Sequence, residues 1–325
     1  LTIFPGMEKI RREEIKIIAQ YSNWSKPSVS KTLENCVYND SIAWLKFLKV
    51  FFLGLGVSFS VAGIIFFFAY NWDELHKFVK LGLIAGLFMA TSLTPLLTNL
   101  NPLLKKVLLT VSSLLVGVFL AVFGQVYQTG ANAYDLFLNW TLFITLWVVI
   151  VNFAPLWTIF IALLNITVFL YAEQVAHDWT DVFVYTFLFL VNAFALSIFI
   201  LSSKFVSRLR QPNWFVHLLA LSAIVYGTLG ACVGIFDPPE NPFYILLLTG
   251  TLLYVTGVWH GLKTKSSFYI AIIGFSLIVI FSAFLIKLSD GAGMFLIVSL
   301  FIMASVTSLI LLLINLHKKW NRQIV

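Results

Sequence analysis

The chain has 325 residues, of which 60% are hydrophobic and 11% charged, with a formal net charge of +7 and a mean hydropathy of +0.95. A soluble domain carries about 25% charged residues, so these values exclude a soluble enzyme or binding module and place nearly all of the mass in a bilayer. The basic residues are spread over several segments rather than gathered on one stripe, which gives no reason to expect a nucleic-acid partner.

In chain order, the first 46 residues are polar and hold no apolar run of signal-peptide length. Within them "MEKIRREEIKIIAQY" sets Ile10, Ile17, Ile18 and Tyr21 on one helical face and charges on the other. A second helix is expected at Pro27, with Ser25 or Lys26 before it. The pair reads as a helical segment on the cytoplasmic membrane surface, its basic residues toward anionic lipid. Docking of a cytosolic partner is the alternative.

A spanning helix needs about 20 mostly apolar residues. Ten stretches qualify, near residues 48–70, 79–98, 106–126, 136–153, 156–172, 182–201, 215–235, 243–261, 268–287 and 294–316. Only Asn152 to Pro155 separates the fourth from the fifth, so a tight hairpin that does not fully cross is a second reading there. The expected fold is an all-α polytopic bundle. Residues 1–46 form a short cytoplasmic segment, 47–317 the membrane domain and 318–325 a basic tail.

Lysine and arginine concentrate in cytoplasmic loops. With the N-terminus inside, all but Lys77, Lys80 and Lys287 of the 21 basic residues fall on the cytoplasmic side. Nine of the fourteen acids fall on the other: Asp73, Glu74, Asp135, Glu173, Asp178, Asp181, Asp237, Glu240 and Asp290. Both termini are therefore expected in the cytoplasm.

Two polar clusters interrupt the apolar pattern on the expected outer side. "FGQVYQTGANAYDLFLNW" follows the third span and supplies Gln125, Tyr127, Gln128, Thr129, Asn132, Tyr134 and Asp135. "FFFAYNWDELHKF" follows the first and supplies Asn71, Trp72 and Asp73. Tyr and Trp serve as interfacial anchors, while Asn, Asp and Gly end helices, and each residue taken singly fits such a role. Their density does not: capping needs one or two polar groups, and the stretch from Gly124 to Asp135 holds several amides and hydroxyls. These ten residues are the candidate ligand- or partner-binding set.

The same segments carry a resemblance. "AYNWDELHKFVKLGLI" and "FGQVYQTGANAYDLFLNWTLFITLWVV" resemble a bacterial family of predicted multi-spanning membrane proteins of unknown function, best over residues 7 to 170. The resemblance implies a bacterial inner-membrane location and a neighbouring envelope protein with an extracytoplasmic domain. It transfers no activity.

Catalytic signatures are missing. The five histidines show no HxxxH spacing, and there is neither a Walker glycine loop nor a GxSxG. Cys36 and Cys232 stand apart and read as filler. His217 and His260 fall at the same end of the seventh and eighth spans and read as interfacial polar tips, with a meeting of the two as the alternative. No span has an ionisable residue near its centre, where a charge costs at least about 2.5 kcal/mol. The mid-span polar groups, Asn165, Asn192, Thr249, Ser282, Ser305 and Thr307, read as helix-packing contacts. The leading expectation is a non-enzymatic membrane subunit, without cofactor or metal, that offers a polar extracytoplasmic surface to an envelope partner. The alternative is a permease or lipid-handling transporter for a neutral or small polar solute.

Overall fold

The computed structural model describes residues 15, 18–19, 21–22, 24–36, 41–70, 75–205, 211–238, 240–288 and 291–322, and their regular structure is entirely helical. The helices are α1 (Lys26–Cys36), α2 (Ser41–Tyr70), α3 (Lys77–Leu97), α4 (Pro102–Tyr127), α5 (Ala133–Val151), α6 (Ala154–Gln174), α7 (Asp181–Phe205), α8 (Asn213–Phe236), α9 (Asn241–Lys263), α10 (Ser267–Leu288) and α11 (Ala292–Arg322). Ten of them, α2 to α11, are long and apolar enough to cross a membrane. The protein is a multi-pass integral membrane protein. The amphipathic helix expected over residues 7–21 lies mainly outside the described residues. α1 starts where Pro27 predicts, and the Ser25 hydroxyl accepts the Ser28 N–H at 3.4 Å.

The chain divides after residue 72 into two compact units. The first holds α1 and α2. α2 begins at Ser41, earlier than its apolar stretch, because no helix breaker lies between Ser41 and Phe47. Along it Trp44 meets Phe47 edge-on and Phe47 stacks on Phe51, with ring centroids 5.8 and 5.9 Å apart.

The second unit holds α3 to α11. Neighbours in sequence pair most closely, α3 on α4, α5 on α6 and α7 on α8, while α10 lies against α8, α9 and α11. Lipid offers no hydrophobic drive for helices to associate, so close approach and polar contacts must supply it. α8 shows the first device: Ala220, Ala223, Gly227, Ala231 and Gly234 recur every three or four residues along a buried stripe. α4 and α5 show another form of it. The Trp140 indole lies over Gly117, where a Cβ would fall 2.5 Å from the ring, and its Nε1–H donates to the Ser113 carbonyl at 2.7 Å.

Polar contacts are the second device. The buried amides of Asn165 on α6 and Asn192 on α7 bond reciprocally, at 2.6 and 3.3 Å, and each also donates to a carbonyl one turn back in its own helix. The Ser276 hydroxyl of α10 meets the Thr228 hydroxyl of α8 at 2.6 Å and the Tyr254 hydroxyl of α9 at 2.5 Å. Thr249, Ser282 and Thr307 instead donate to carbonyls within their own helices.

The α5–α6 hairpin turns on Asn152, which takes the left-handed conformation at φ 44°. Its Oδ1 accepts from the buried Gln211 amide at 2.5 Å and from the Trp157 indole at 3.2 Å. α5 has 19 residues and α6 has 21, about 28 and 31 Å at 1.5 Å per residue, against a hydrocarbon core of about 30 Å. Each is long enough to cross.

Candidate functional site

The polar stretch is the turn between α4 and α5. α4 ends at Tyr127 because Gln128 adopts the left-handed conformation, φ 46° and ψ 51°, and its N–H closes the helix on the Gly124 carbonyl. The Thr129 N–H reaches the same carbonyl at 3.3 Å. Gly130 follows with φ 64°, a conformation open to glycine without penalty. Asn132 then caps α5. Its N–H donates to Asp135 Oδ2 at 3.0 Å, and the Asp135 N–H donates to the Asn132 carbonyl at 3.1 Å. A carboxylate in the first turn also suits the positive end of the helix dipole.

Five of the ten sequence candidates, Gln125, Gln128, Thr129, Asn132 and Asp135, line one groove of about 530 Å³. Asp135 and Asn132 are engaged in the cap. Among the described residues the side chains of Gln125, Gln128 and Thr129 are exposed and make no hydrogen bond to the protein. The groove therefore offers two unengaged amides, a hydroxyl and one formal negative charge. That set can orient a polar ligand by hydrogen bonds.

Tyr127 and Tyr134 do not line the groove. Tyr127 leans on Phe123, 4.7 Å between centroids, and Tyr134 meets Tyr171 of α6 edge-on at 5.3 Å. Asn71, Trp72 and Asp73 lie outside the described residues. Two residues missed from sequence belong here. Asn139 lines the groove and donates to the Asp135 carbonyl at 2.8 Å, a contact that its i+4 spacing could have signalled. Gln174 accepts the Tyr134 N–H at 3.1 Å across forty residues of chain, which no local signal announces.

The turn is one of three joined at the same end of the second unit. From Tyr171 the ring contacts continue to Trp179 at 5.4 Å and Phe183 at 4.8 Å beyond it. The Thr180 hydroxyl then donates to Glu240 Oε2 at 2.7 Å, reaching the α8–α9 turn. Asp135, Glu173, Asp178, Asp181, Asp237 and Glu240 all belong to this end, which is acid-rich. Among the described residues no three His, Cys, Asp or Glu converge to hold a metal ion.

Residues 22–157 match the model of a family described as predicted membrane protein (DUF2157). The matched segment runs from before α1 into the first turn of α6, so it contains the whole α4–α5 groove and is narrower than the resemblance expected from sequence. No curated protein matches the chain. No solved structure matches it either.

Proposed function

We propose that the protein is a non-enzymatic subunit of a bacterial inner membrane, with both termini in the cytoplasm, whose α4–α5 groove recognises an extracytoplasmic segment of an envelope protein. One observation carries this reading: Gln125, Gln128 and Thr129 contribute no side-chain hydrogen bond to the fold, yet they gather on one exposed groove. Gln128 adds to it. A left-handed residue outside glycine, asparagine and aspartate is unfavourable by about 1 to 2 kcal/mol, so glycine would serve the turn better if the side chain had no use. The acid-rich end that holds the groove supports its extracytoplasmic placement, because the basic residues concentrate elsewhere.

The test is purification from native membranes in a gentle detergent. A protein retained in stoichiometric amount by the wild type, and lost from Gln125→Ala/Gln128→Ala at equal folded yield, supports the reading. Equal retention by both forms refutes it.

A second reading has its own observation. Leu120 lines both the polar groove and an apolar groove of about 480 Å³ between α3, α4 and α5, walled by Phe88, Phe119, Phe143 and Trp147. Polar and apolar grooves that meet suit an amphiphile, which favours lipid handling. Under this reading the same double variant loses a bound lipid and keeps its protein partners.

A further inference from the structure

A third concavity lies toward the opposite end of the second unit, among α7, α8, α9 and α10. Its volume is about 300 Å³. Leu196, Ala220, Ile273 and Tyr269 form a buried floor, while Ser197 of α7 and Thr256 and Trp259 of α9 form exposed walls. A buried floor with exposed walls on spanning helices means that the cavity is open on the flank of the bundle, toward lipid.

Its end is cationic. Lys263 lies over the Trp259 indole, 4.9 Å from the ring centroid, and Lys265 follows two residues later. His260 lines the cavity with its ring edge-on to Tyr269 at 5.2 Å, and His217 meets the same Tyr269 ring at 5.4 Å. The two histidines that sequence brings to one level thus share one aromatic neighbour. α7 to α10 bring no acid to this end: no Asp or Glu occurs between residues 182 and 236 or between 241 and 288.

The depth is also defined. Leu253, which lines the cavity, stands ten residues before Lys263 on α9, about 15 Å at 1.5 Å per residue, or half of a hydrocarbon core of about 30 Å. The apolar floor and the cationic rim are therefore spaced as the acyl chain and headgroup of one leaflet. Neighbouring features argue against a soluble occupant. The cavity lining is mainly apolar, and its Ser197 and Thr256 hydroxyls are already turned to carbonyls of their own helices.

We propose that this cavity holds an anionic phospholipid, with one acyl chain on the Leu196–Ile273 floor and the phosphate at Lys263, Lys265 and His260. Basic pockets between spanning helices favour such headgroups. The site is separate from the α4–α5 groove, and its test does not depend on the function proposed there.

Full-length protein in mild detergent is given equal amounts of palmitoyl-oleoyl phosphatidylglycerol and phosphatidylcholine, and retained lipid is counted by native mass spectrometry. A lysine beside an anionic headgroup gives about a fivefold preference, so phosphatidylglycerol should exceed phosphatidylcholine at least about fivefold. Lys263→Gln/Lys265→Gln, at exposed positions, should bring the ratio near unity without loss of folded protein. Ser197→Trp/Thr256→Trp should fill the cavity from its walls and lower retained phosphatidylglycerol about tenfold, an order typical of lost apolar burial. A phosphatidylglycerol carrying a photoreactive acyl chain, applied to the wild type, should label residues 196–201 or 253–260, which keeps the site testable if the tryptophan variant fails to fold. No preference in the wild type, an unchanged ratio in the glutamine variant, labelling confined to other segments, or full displacement by soluble glycerol phosphate would each overturn the proposal.

Discussion

Gln128 separates the needs of the turn from the needs of a ligand. At φ 46° and ψ 51° it occupies a region that suits glycine and asparagine. Replacing it by glycine relieves about 1 to 2 kcal/mol of left-handed strain, against which the greater freedom of glycine in the unfolded chain sets about 0.5 to 1 kcal/mol. No hydrogen bond of the Gln128 side chain to the protein has to be subtracted, because among the described residues there is none. Gln128→Gly should therefore raise stability by about 0.5 to 1 kcal/mol. Gln128→Ala keeps the strain and should leave stability near wild type. Gln128→Asn keeps an amide in a residue that tolerates the conformation and should also stabilise. The measurement is reversible unfolding in mixed micelles, paired with retention of the co-purifying partner. Retention should fail for glycine and alanine and persist in part for asparagine. A glycine variant that is less stable than wild type refutes the strain argument. One that is more stable and retains the partner in full refutes the recognition role.

Four further outcomes are expected. Asn165→Leu or Asn192→Leu alone should destabilise by about 1 to 2 kcal/mol, since each leaves the other amide short of a partner; the double variant should cost less than their sum by about 1 kcal/mol, and simple additivity in the unfolding cycle would refute the coupling. Gly117→Ala should destabilise by about 1 to 3 kcal/mol through its collision with the Trp140 ring, whereas Gly250→Ala, where a Cβ meets nothing within 4 Å, should be neutral or stabilising in the same melt. In a variant lacking Cys36 and Cys232, Thr129→Cys should react with a membrane-impermeant thiol reagent on intact spheroplasts, and labelling only after lysis would invert the proposed topology. Alkaline phosphatase fused after Asp178 should be active and a fluorescent protein after Val325 should fluoresce.

The spans were legible because a backbone in hydrocarbon must satisfy itself, which forces long uninterrupted apolar helices onto the sequence. Starts and stops followed local chemistry wherever that chemistry is local, as at Pro27 and Asn132. Pairing was not legible. Asn165 and Asn192 look alike in sequence to Thr249 or Ser282, and only the packing of α6 on α7 makes the first two a pair while the others turn back on their own helices. The groove was half legible for the same reason. Its amides sit in one continuous stretch, and Tyr127 leans on Phe123 one turn back in α4, as i, i+4 spacing allows, but Tyr134 was drawn to Tyr171, a ring whose position depends on how α5 and α6 meet.

The turn at Asn152 has a consequence for how such a chain enters and varies in a membrane. Asn152 and Phe153 alone join α5 to α6, and neither is charged. Nothing in so short a link can anchor one helix on the far side while the other waits, so the two enter the bilayer as a single block. A block of two crossings conserves parity: the side on which every later loop lies is the same with it or without it. Reporter fusions beyond Gln174 are blind to it, and a label at Asn152 itself is the probe that reads it. The hairpin is thus the smallest increment by which this chain could lengthen or shorten while keeping its second half the same way out.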